Sequence, residues 1–153
     1  MDISAPFGQD VIRSILPHRP PFLLVDRVEE LEPEQRIVCV KTLHPDEYYQ
    51  SPMAGGGRFY PITLLAEIVA QSGAMLVLLR PGYQGRPIYF MAIDRFEVAR
   101  PIRLGETLVV EGSPTRMRRR FGTLKGVARV DGEPVAEGVM RFAMEPSEFR
   151  SEG

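Results

Sequence analysis

The sequence predicts an α+β fold in which a curved antiparallel sheet wraps around one long central helix. Two strand-like segments stand near the N-terminus, one long apolar segment (62–79) follows, and a run of further strand-like segments completes the chain. Consecutive strands without intervening helices indicate mostly antiparallel pairing. A helix that is apolar on every side has to be buried, most simply by a sheet curved about it.

The first elements are a short helix and two strands. Residues 10–16 are typical of a short helix, with Asp10 as its N-cap and Pro17 as its stop. Pro20 and Pro21 impose an extended path, so the apolar segment 22–28 predicts the first strand, and residues 36–43 predict the second.

A glycine-rich and proline-rich stretch leads into the central helix. Residues 44–61 contain three consecutive glycines and predict a loop, and Pro61 suits the first turn of the helix at 62–79. Residues 80–85 predict a turn. The strands that follow are predicted at Ile88–Ile93, Thr107–Gly112, Thr123–Val130 and Val135–Met144.

Length and composition indicate one ordinary globular domain. The chain has 153 residues, 44% of them hydrophobic and 25% charged, with a net charge of −1. We expect one domain over 1–145 and a disordered polar tail at 146–153. A near-neutral chain offers no general attraction to nucleic acid or to a membrane surface, so we expect neither as a partner.

The N-terminus and the single cysteine favour the cytoplasm. The first ten residues have neither the basic region nor the apolar core of a signal peptide. The apolar segment at 62–79 carries Glu67, Gln71 and Ser72, which argues against a membrane span. Cys39 is the one cysteine, so no internal disulfide is expected, and its strand-like context predicts a small buried side chain.

Glu67 is the one charged residue in the long apolar segment. Thr63, Glu67 and Gln71 are spaced four residues apart and therefore share one face of the helix. The simplest interpretation is a stripe facing water, although a solvated face of this length normally carries several charges. A buried carboxylate is costly unless it is paired, protonated or kept for function. A functional carboxylate and a structural one that binds a loop donor both remain open.

The glycines before the helix could supply backbone hydrogen-bond donors. Gly55, Gly56 and Gly57 stand shortly before the helix start, where backbone N–H groups and the positive end of the helix dipole come together. Such donors stabilise negative charge on a carbonyl oxygen. Together with a carboxylate on the same helix, they suggest an acyl site.

Several segments together resemble the 3-hydroxyacyl-acyl-carrier-protein dehydratases of fatty-acid synthesis, which have the hotdog fold. They occur in the family's order over nearly the whole chain. The segments are Ile15–Arg27, Leu64–Gln71, Tyr89–Arg95, Arg100–Glu106 and Lys125–Gly132.

This resemblance implies an acyl-thioester substrate. Two separated histidines and one cysteine offer no metal-ligand spacing, and the sequence has no dinucleotide or P-loop motif, so we expect neither a metal nor a cofactor. The resemblance also implies a homodimer with one continuous sheet, often assembled further into a hexamer as a trimer of dimers. Each site would pair a loop histidine of one chain with a helix carboxylate of the other. Matching positions make Glu67 and Gln71 catalytic and make Gly56 and Gly57 the backbone donors to the thioester carbonyl.

The chain departs from the family at the loop histidine. The matching position falls on Pro52 or Met53, depending on the direction of counting, and neither side chain can carry a proton. His18 lies in the N-terminal signature, to which the family gives no chemical role, so we expect it to make a structural hydrogen bond. His44 is the only substitute, and the loop would have to fold back to bring it to Glu67.

Three functions fit the groups that are left. The first is a dehydratase in which Glu67 is the only acid and base. The second is a thioesterase that uses Glu67 as nucleophile or base. The third is a non-catalytic acyl-binding chain, or one half of a site completed by a histidine-bearing paralogue. The side chains that could assist Glu67 are Tyr48, Tyr49, Tyr60 and His44.

An arginine cluster is the last feature of the sequence. Its members, within a predicted hairpin, are Arg116, Arg118, Arg119 and Arg120. A solvated turn explains them simply. Alternatively they dock an acidic acyl-carrier protein, although the thioester partner could also be coenzyme A.

Overall fold

The computed structural model describes residues 3–45 and 59–145, which form seven strands and two helices. In chain order the elements are β1 (Phe7–Gly8), α1 (Gln9–Ile15), β2 (Arg27–Glu32), β3 (Arg36–Thr42), α2 (Ile62–Leu78), β4 (Ile88–Val98), β5 (Thr107–Met117), β6 (Phe121–Val130) and β7 (Glu133–Met144). The predicted α+β class is confirmed, and the long central helix lies where the apolar segment predicts it.

The described strands form one antiparallel sheet in the order β1-β2-β3-β5-β6-β7-β4. The helix α2 packs against β3, β5 and β6, which lie in the middle of that order. This is the hotdog arrangement that the sequence predicts. The chain leaves α2 and enters β4 at the far end of the sheet, so β4 is an edge strand.

Burial explains why α2 is apolar on every side. Every residue from Ile68 to Leu78 is buried. Glycine brings the helix close to the sheet: a Cβ on Gly112 of β5 would lie 3.6 Å from the Cα of Gly73. A Cβ on Gly73 would itself lie 2.7 Å from Cδ1 of Leu124 on β6. The helix therefore forms the centre of the core.

The predicted cap of the short helix is wrong. The helix α1 begins at Gln9, and its N-cap is Gly8, which makes no side-chain capping bond. Asp10 lies within the first turn instead, where a negative charge still interacts favourably with the helix dipole.

The predicted strand at 22–28 is also wrong over most of its length. The strand β2 begins only at Arg27. The reason lies in the hydrogen bonding of the preceding backbone, because the carbonyl of Phe22 and the N–H of Leu24 bond to the side chain of Gln71. The apolar side chains of Leu23, Leu24 and Val25 are buried in the core although their segment is not part of a strand.

The later strands are longer than the sequence predicts. The clearest case is β5, which continues from Gly112 to Met117 although Pro114 would ordinarily end a strand. The register with β6 shifts between Pro114 and Arg116. Prolines are tolerated at such irregularities because the missing N–H is not needed there.

The remaining predictions concern the cysteine, a membrane span, the loop and the tail. Cys39 is fully buried in β3, as predicted. Within the described ranges, no helix is both long and apolar enough to cross a membrane. The glycine-rich part of the loop and the predicted tail at 146–153 lie outside the described residues.

Candidate active site

The polar face of α2 passes from solvent into the core. Thr63 is exposed, the side chain of Glu67 is 27% exposed, and Gln71 is only 1% exposed. The stripe predicted from the four-residue spacing therefore does not lie along water over its whole length. Glu67 stands at the boundary, where a carboxylate is reachable but partly desolvated.

Gln71 connects Glu67 to the segment before β2. Its Nε2 donates to Oε1 of Glu67 at 2.9 Å and to the carbonyl of Phe22 at 2.9 Å. Its Oε1 accepts from the N–H of Leu24 at 3.0 Å. Because these bonds use both amide hydrogens and the carbonyl oxygen, Gln71 fixes the carboxylate and the segment relative to each other.

His18 lies beside the same carboxylate. Its Nε2 is 3.4 Å from Oε1 of Glu67, and its side chain is 27% exposed. The ring also stands near that of Phe22, with centroids 6.1 Å apart. The expected structural role gave no indication of this proximity. One feature of the sequence could have indicated it: one of the two histidines of the chain lies in the N-terminal segment that resembles the family.

The other predicted assisting groups stand elsewhere or cannot be placed. His44 is exposed, two residues beyond the end of β3, and in the part of the chain that the structure describes no hydrogen bond or ion pair joins it to Glu67. Tyr60 is buried in the core, 4% exposed, just before α2. The positions predicted as backbone donors or as assisting tyrosines that lie outside the described residues are Gly56, Gly57, Tyr48 and Tyr49.

One exposed apolar side chain stands beside the partners of Glu67, and two more stand near the start of α2. Phe22 follows the turn that carries His18, and Phe59 and Ile62 stand at the start of α2. They are 41%, 47% and 57% exposed, respectively. Exposed apolar groups beside a partly buried carboxylate are typical of a surface that binds a ligand or another chain.

The arginine cluster lies far from Glu67 along α2. Its four members are exposed in the β5–β6 hairpin, and among the described residues none of them forms an ion pair. Tyr83, just beyond the C-terminal end of α2, donates from Oη to the carbonyl of Arg119 at 3.3 Å. A groove beside the hairpin is lined by Met91, Arg116, Arg118, Phe121, Thr123 and Arg141, among others.

Comparisons of sequence with known proteins agree on one family. Residues 11–151 match the family described as ApeP-like, ApeP dehydratase. The 3-hydroxyacyl-[acyl-carrier-protein] dehydratase FabZ of Herpetosiphon aurantiacus is 44% identical over 133 residues, which cover 87% of this chain and 94% of that protein. FabZ of Enterococcus faecalis is 37% identical over 131 residues, with coverages of 86% and 93%. The predicted resemblance is thereby confirmed.

Solved structures share the fold. The dehydratase heterocomplex ApeI:P from Xenorhabdus doucetiae superposes with a TM-score of 0.77 at 14% identity, covering 89% of this chain and 91% of that chain. Zebra fish thioesterase superfamily member 2 superposes with a TM-score of 0.68 at 14% identity, covering 89% and 94%. At such low identity these similarities establish the hotdog fold alone.

Proposed function

Because the chain belongs to the ApeP-like dehydratase family, we propose that it removes water from 3-hydroxyacyl thioesters with Glu67 as its catalytic carboxylate. The observation that carries the proposal is the environment of Glu67. Its Oε1 is bound by Gln71 and approached by His18, whereas Oε2 has no partner among residues 3–45 and 59–145. A carboxylate held at one oxygen, whose other oxygen has no partner in these ranges, is suited to proton transfer.

The elimination breaks the Cα–H and Cβ–O bonds of the substrate and forms a Cα–Cβ double bond. The free oxygen of Glu67 takes the α-proton, and the resulting carboxylic acid returns it to the departing hydroxyl, which leaves as water. Negative charge develops on the thioester oxygen between these steps. Backbone N–H groups of Gly56 and Gly57 are our proposed donors to that oxygen.

The direct test is an assay of the purified protein with a 3-hydroxyacyl thioester, followed by detection of the enoyl product. We expect Glu67→Gln to lower kcat roughly 10²–10⁴-fold, the usual contribution of one acid–base group. Glu133→Gln, at an exposed glutamate of β7, is the matched control and should leave kcat unchanged. Full activity of Glu67→Gln would contradict the proposal, and release of free thiol would indicate the thioesterase.

A shared site is the second candidate, and the loop favours it. Neither Pro52 nor Met53 can replace the loop histidine that the family's chemistry uses. ApeI:P, which has the same fold, is described as a dehydratase heterocomplex. In this case the purified chain alone would show no dehydratase activity, and dehydration would begin when a histidine-bearing hotdog chain is added. Glu67→Gln would then abolish the activity of the mixture.

We further propose that the arginine cluster docks an acyl-carrier protein, the carrier in the names of the relatives. Four exposed arginines without an acidic partner in the described ranges offer charge complementarity to an acidic surface. Charge reversal at Arg118 and Arg119 should weaken carrier binding and its salt dependence. Reversal at Arg27, an exposed arginine paired with Glu29 on β2, is the control. Equal binding by all variants, or equal activity with coenzyme A thioesters, would argue against a carrier.

The edge strand β4 is the proposed contact with a second copy of the chain. It is eleven residues long and ends the sheet, so one row of its backbone groups has no neighbouring strand in the described order. Its outward side chains Tyr89, Met91 and Ile93 are 53–58% exposed. Pairing of two such edges would make one continuous sheet, and hexamers would need a further interface. Met91→Lys with Ile93→Lys should convert dimer to monomer by light scattering; a persistent dimer would contradict this.

A further inference from the structure

We infer that His18 is a positioning residue for Glu67, a role that rests on the proposed function of that carboxylate. It would donate from Nε2 to Oε1 of Glu67 and so leave Oε2 as the one oxygen directed at the substrate. The family resemblance gives His18 no chemical role, and the inference depends on contacts within this chain.

One hydrogen-bond donor and one imidazole nitrogen stand close to the same carboxylate oxygen. Nε2 of Gln71 reaches Oε1 of Glu67 at 2.9 Å, and Nε2 of His18 stands 3.4 Å away from it. The second distance is longer than an ordinary hydrogen bond of about 2.7–3.2 Å. Such contacts in unliganded sites tighten when substrate binds. A hydrogen bond from His18 beside that from Gln71 would restrict rotation of the carboxylate.

The other ring nitrogen indicates which tautomer is present. Nδ1 of His18 is buried and has no hydrogen-bond partner in the described part of the chain. A proton on Nδ1 would leave a donor buried and unpaired, which costs more than an unpaired acceptor. The neutral ring with hydrogen on Nε2 therefore fits the site, and this hydrogen is the one that Glu67 can accept.

The backbone around His18 is fixed independently of the ring. The guanidinium of Arg19 donates to the carbonyls of Leu16, His18 and Arg13 at 2.9, 2.7 and 3.1 Å. The carbonyl of Arg19 in turn accepts from the N–H of Phe22 at 2.9 Å. Because Gln71 also binds the carbonyl of Phe22, the turn and α2 form one rigid unit.

The kinetic test compares two substitutions at His18. Glutamine can place an amide N–H near the position of Nε2, whereas leucine fills similar space without a donor. We expect His18→Leu to lower kcat roughly 10–100-fold, the value of one hydrogen bond to a charged group, with KM little changed. His18→Gln should recover most of that loss. His18→Asn, which keeps a polar amide but is too short to reach Glu67, replaces leucine as the test if His18→Leu does not fold.

Two kinetic outcomes would overturn the inference. Wild-type kcat in His18→Leu would show that Glu67 needs no such donor. Equal loss in folded His18→Leu and His18→Gln would show that the ring itself transfers a proton. Neither outcome contradicts the proposed function. That proposal is tested separately, and it fails if Glu67→Gln retains full activity.

A spectroscopic test is independent of turnover. The chain has two histidines, so ring nitrogen signals in ¹⁵N NMR are readily assigned, and exposed His44 serves as an internal reference. We expect His18 to show the Nε2–H tautomer and to change its nitrogen shifts in Glu67→Gln, while the His44 signals stay in place. A different tautomer at His18, or shifts that ignore Glu67→Gln, would overturn the inference even in a protein without measurable activity.

Discussion

The two halves of α2 are made of similar residues but meet different surroundings. In the first turns Ile62 is 57% exposed and Glu67 is 27% exposed. From Ile68 onward every residue of the helix is buried against the sheet. The comparison separates two tasks along one helix. The open half, residues 62–67, presents a carboxylate, and the closed half, residues 68–78, forms the core.

Gln71 lies where the two halves meet. It is buried, yet each of its polar atoms is hydrogen-bonded, to Glu67 on one side and to the backbone before β2 on the other. A buried amide with all its partners costs little, whereas a partly satisfied one is expensive. The open half therefore takes its rigidity from the closed half through this side chain.

The largest effect is expected from a cavity in the closed half. Met75 is completely buried, and Met75→Ala should lower the free energy of unfolding by about 2–5 kcal/mol. Ile62→Ala, at the exposed end of the same helix, is the control and should cost less than about 0.5 kcal/mol. Urea denaturation measures both, and equal losses would erase the contrast between the halves.

Gln71→Met should affect both halves at once. The substitution keeps the side-chain volume but leaves the N–H of Leu24 and the carbonyl of Phe22 unpaired, at about 1–3 kcal/mol for each group that stays buried. The carboxylate of Glu67 also loses its nearest donor, so kcat should fall in the folded protein. Denaturation and steady-state kinetics test the two effects separately, and a loss in only one of them would show that Gln71 does not connect the halves.

Gly112→Val tests the close approach of the closed half to the sheet. The new side chain would meet Ile37 and the backbone of Gly73, at a cost of about 1–3 kcal/mol. Labelling of the buried thiol of Cys39, on the neighbouring strand β3, should accelerate roughly 5–150-fold as the core opens. Gly8→Ala, where an added Cβ meets nothing within 4 Å, is the control. Unchanged labelling in Gly112→Val would mean that the helix can move away without cost.

The same thiol predicts a pH dependence of the closed half. Burial raises the pKa of the Cys39 thiol to about 12, from an ordinary value of 9.0. The unfolded chain therefore releases this proton first, so the contribution to stability is intact below about pH 9 and is lost as the pH rises toward 12. Between about pH 8 and pH 10 the wild type should lose about 1 kcal/mol more than Cys39→Ala. Parallel pH profiles for the two proteins would contradict a buried, protonated thiol.

The smallest effect is expected at the open end of the stripe. Thr63 is exposed and shares the face of Glu67, but within residues 3–45 and 59–145 no hydrogen bond joins it to the carboxylate. Thr63→Ala should change the free energy of unfolding by no more than about 0.5 kcal/mol. A larger loss by denaturation would mean that the open half contributes to the core after all.

Local patterns were sufficient to predict α2 and its polar face. Helical spacing placed Thr63, Glu67 and Gln71 on one side, because that geometry depends only on residues a turn apart. The succession of strand-like segments without intervening helices predicted the antiparallel sheet. Strand ends were less predictable: β5 passes Pro114 because its partner β6 allows a shift in register there.

The sequence by itself determined the fold class, the family and the position of Glu67 as the one charge in the apolar helix. Each of these depends on the order and spacing of residues along the chain. Tertiary structure decided which distant groups meet that carboxylate. His18 and the backbone of Phe22 and Leu24 reach α2 only because the chain returns across the open end of the helix. Contacts of this kind depend on packing in three dimensions, and no local periodicity encodes them.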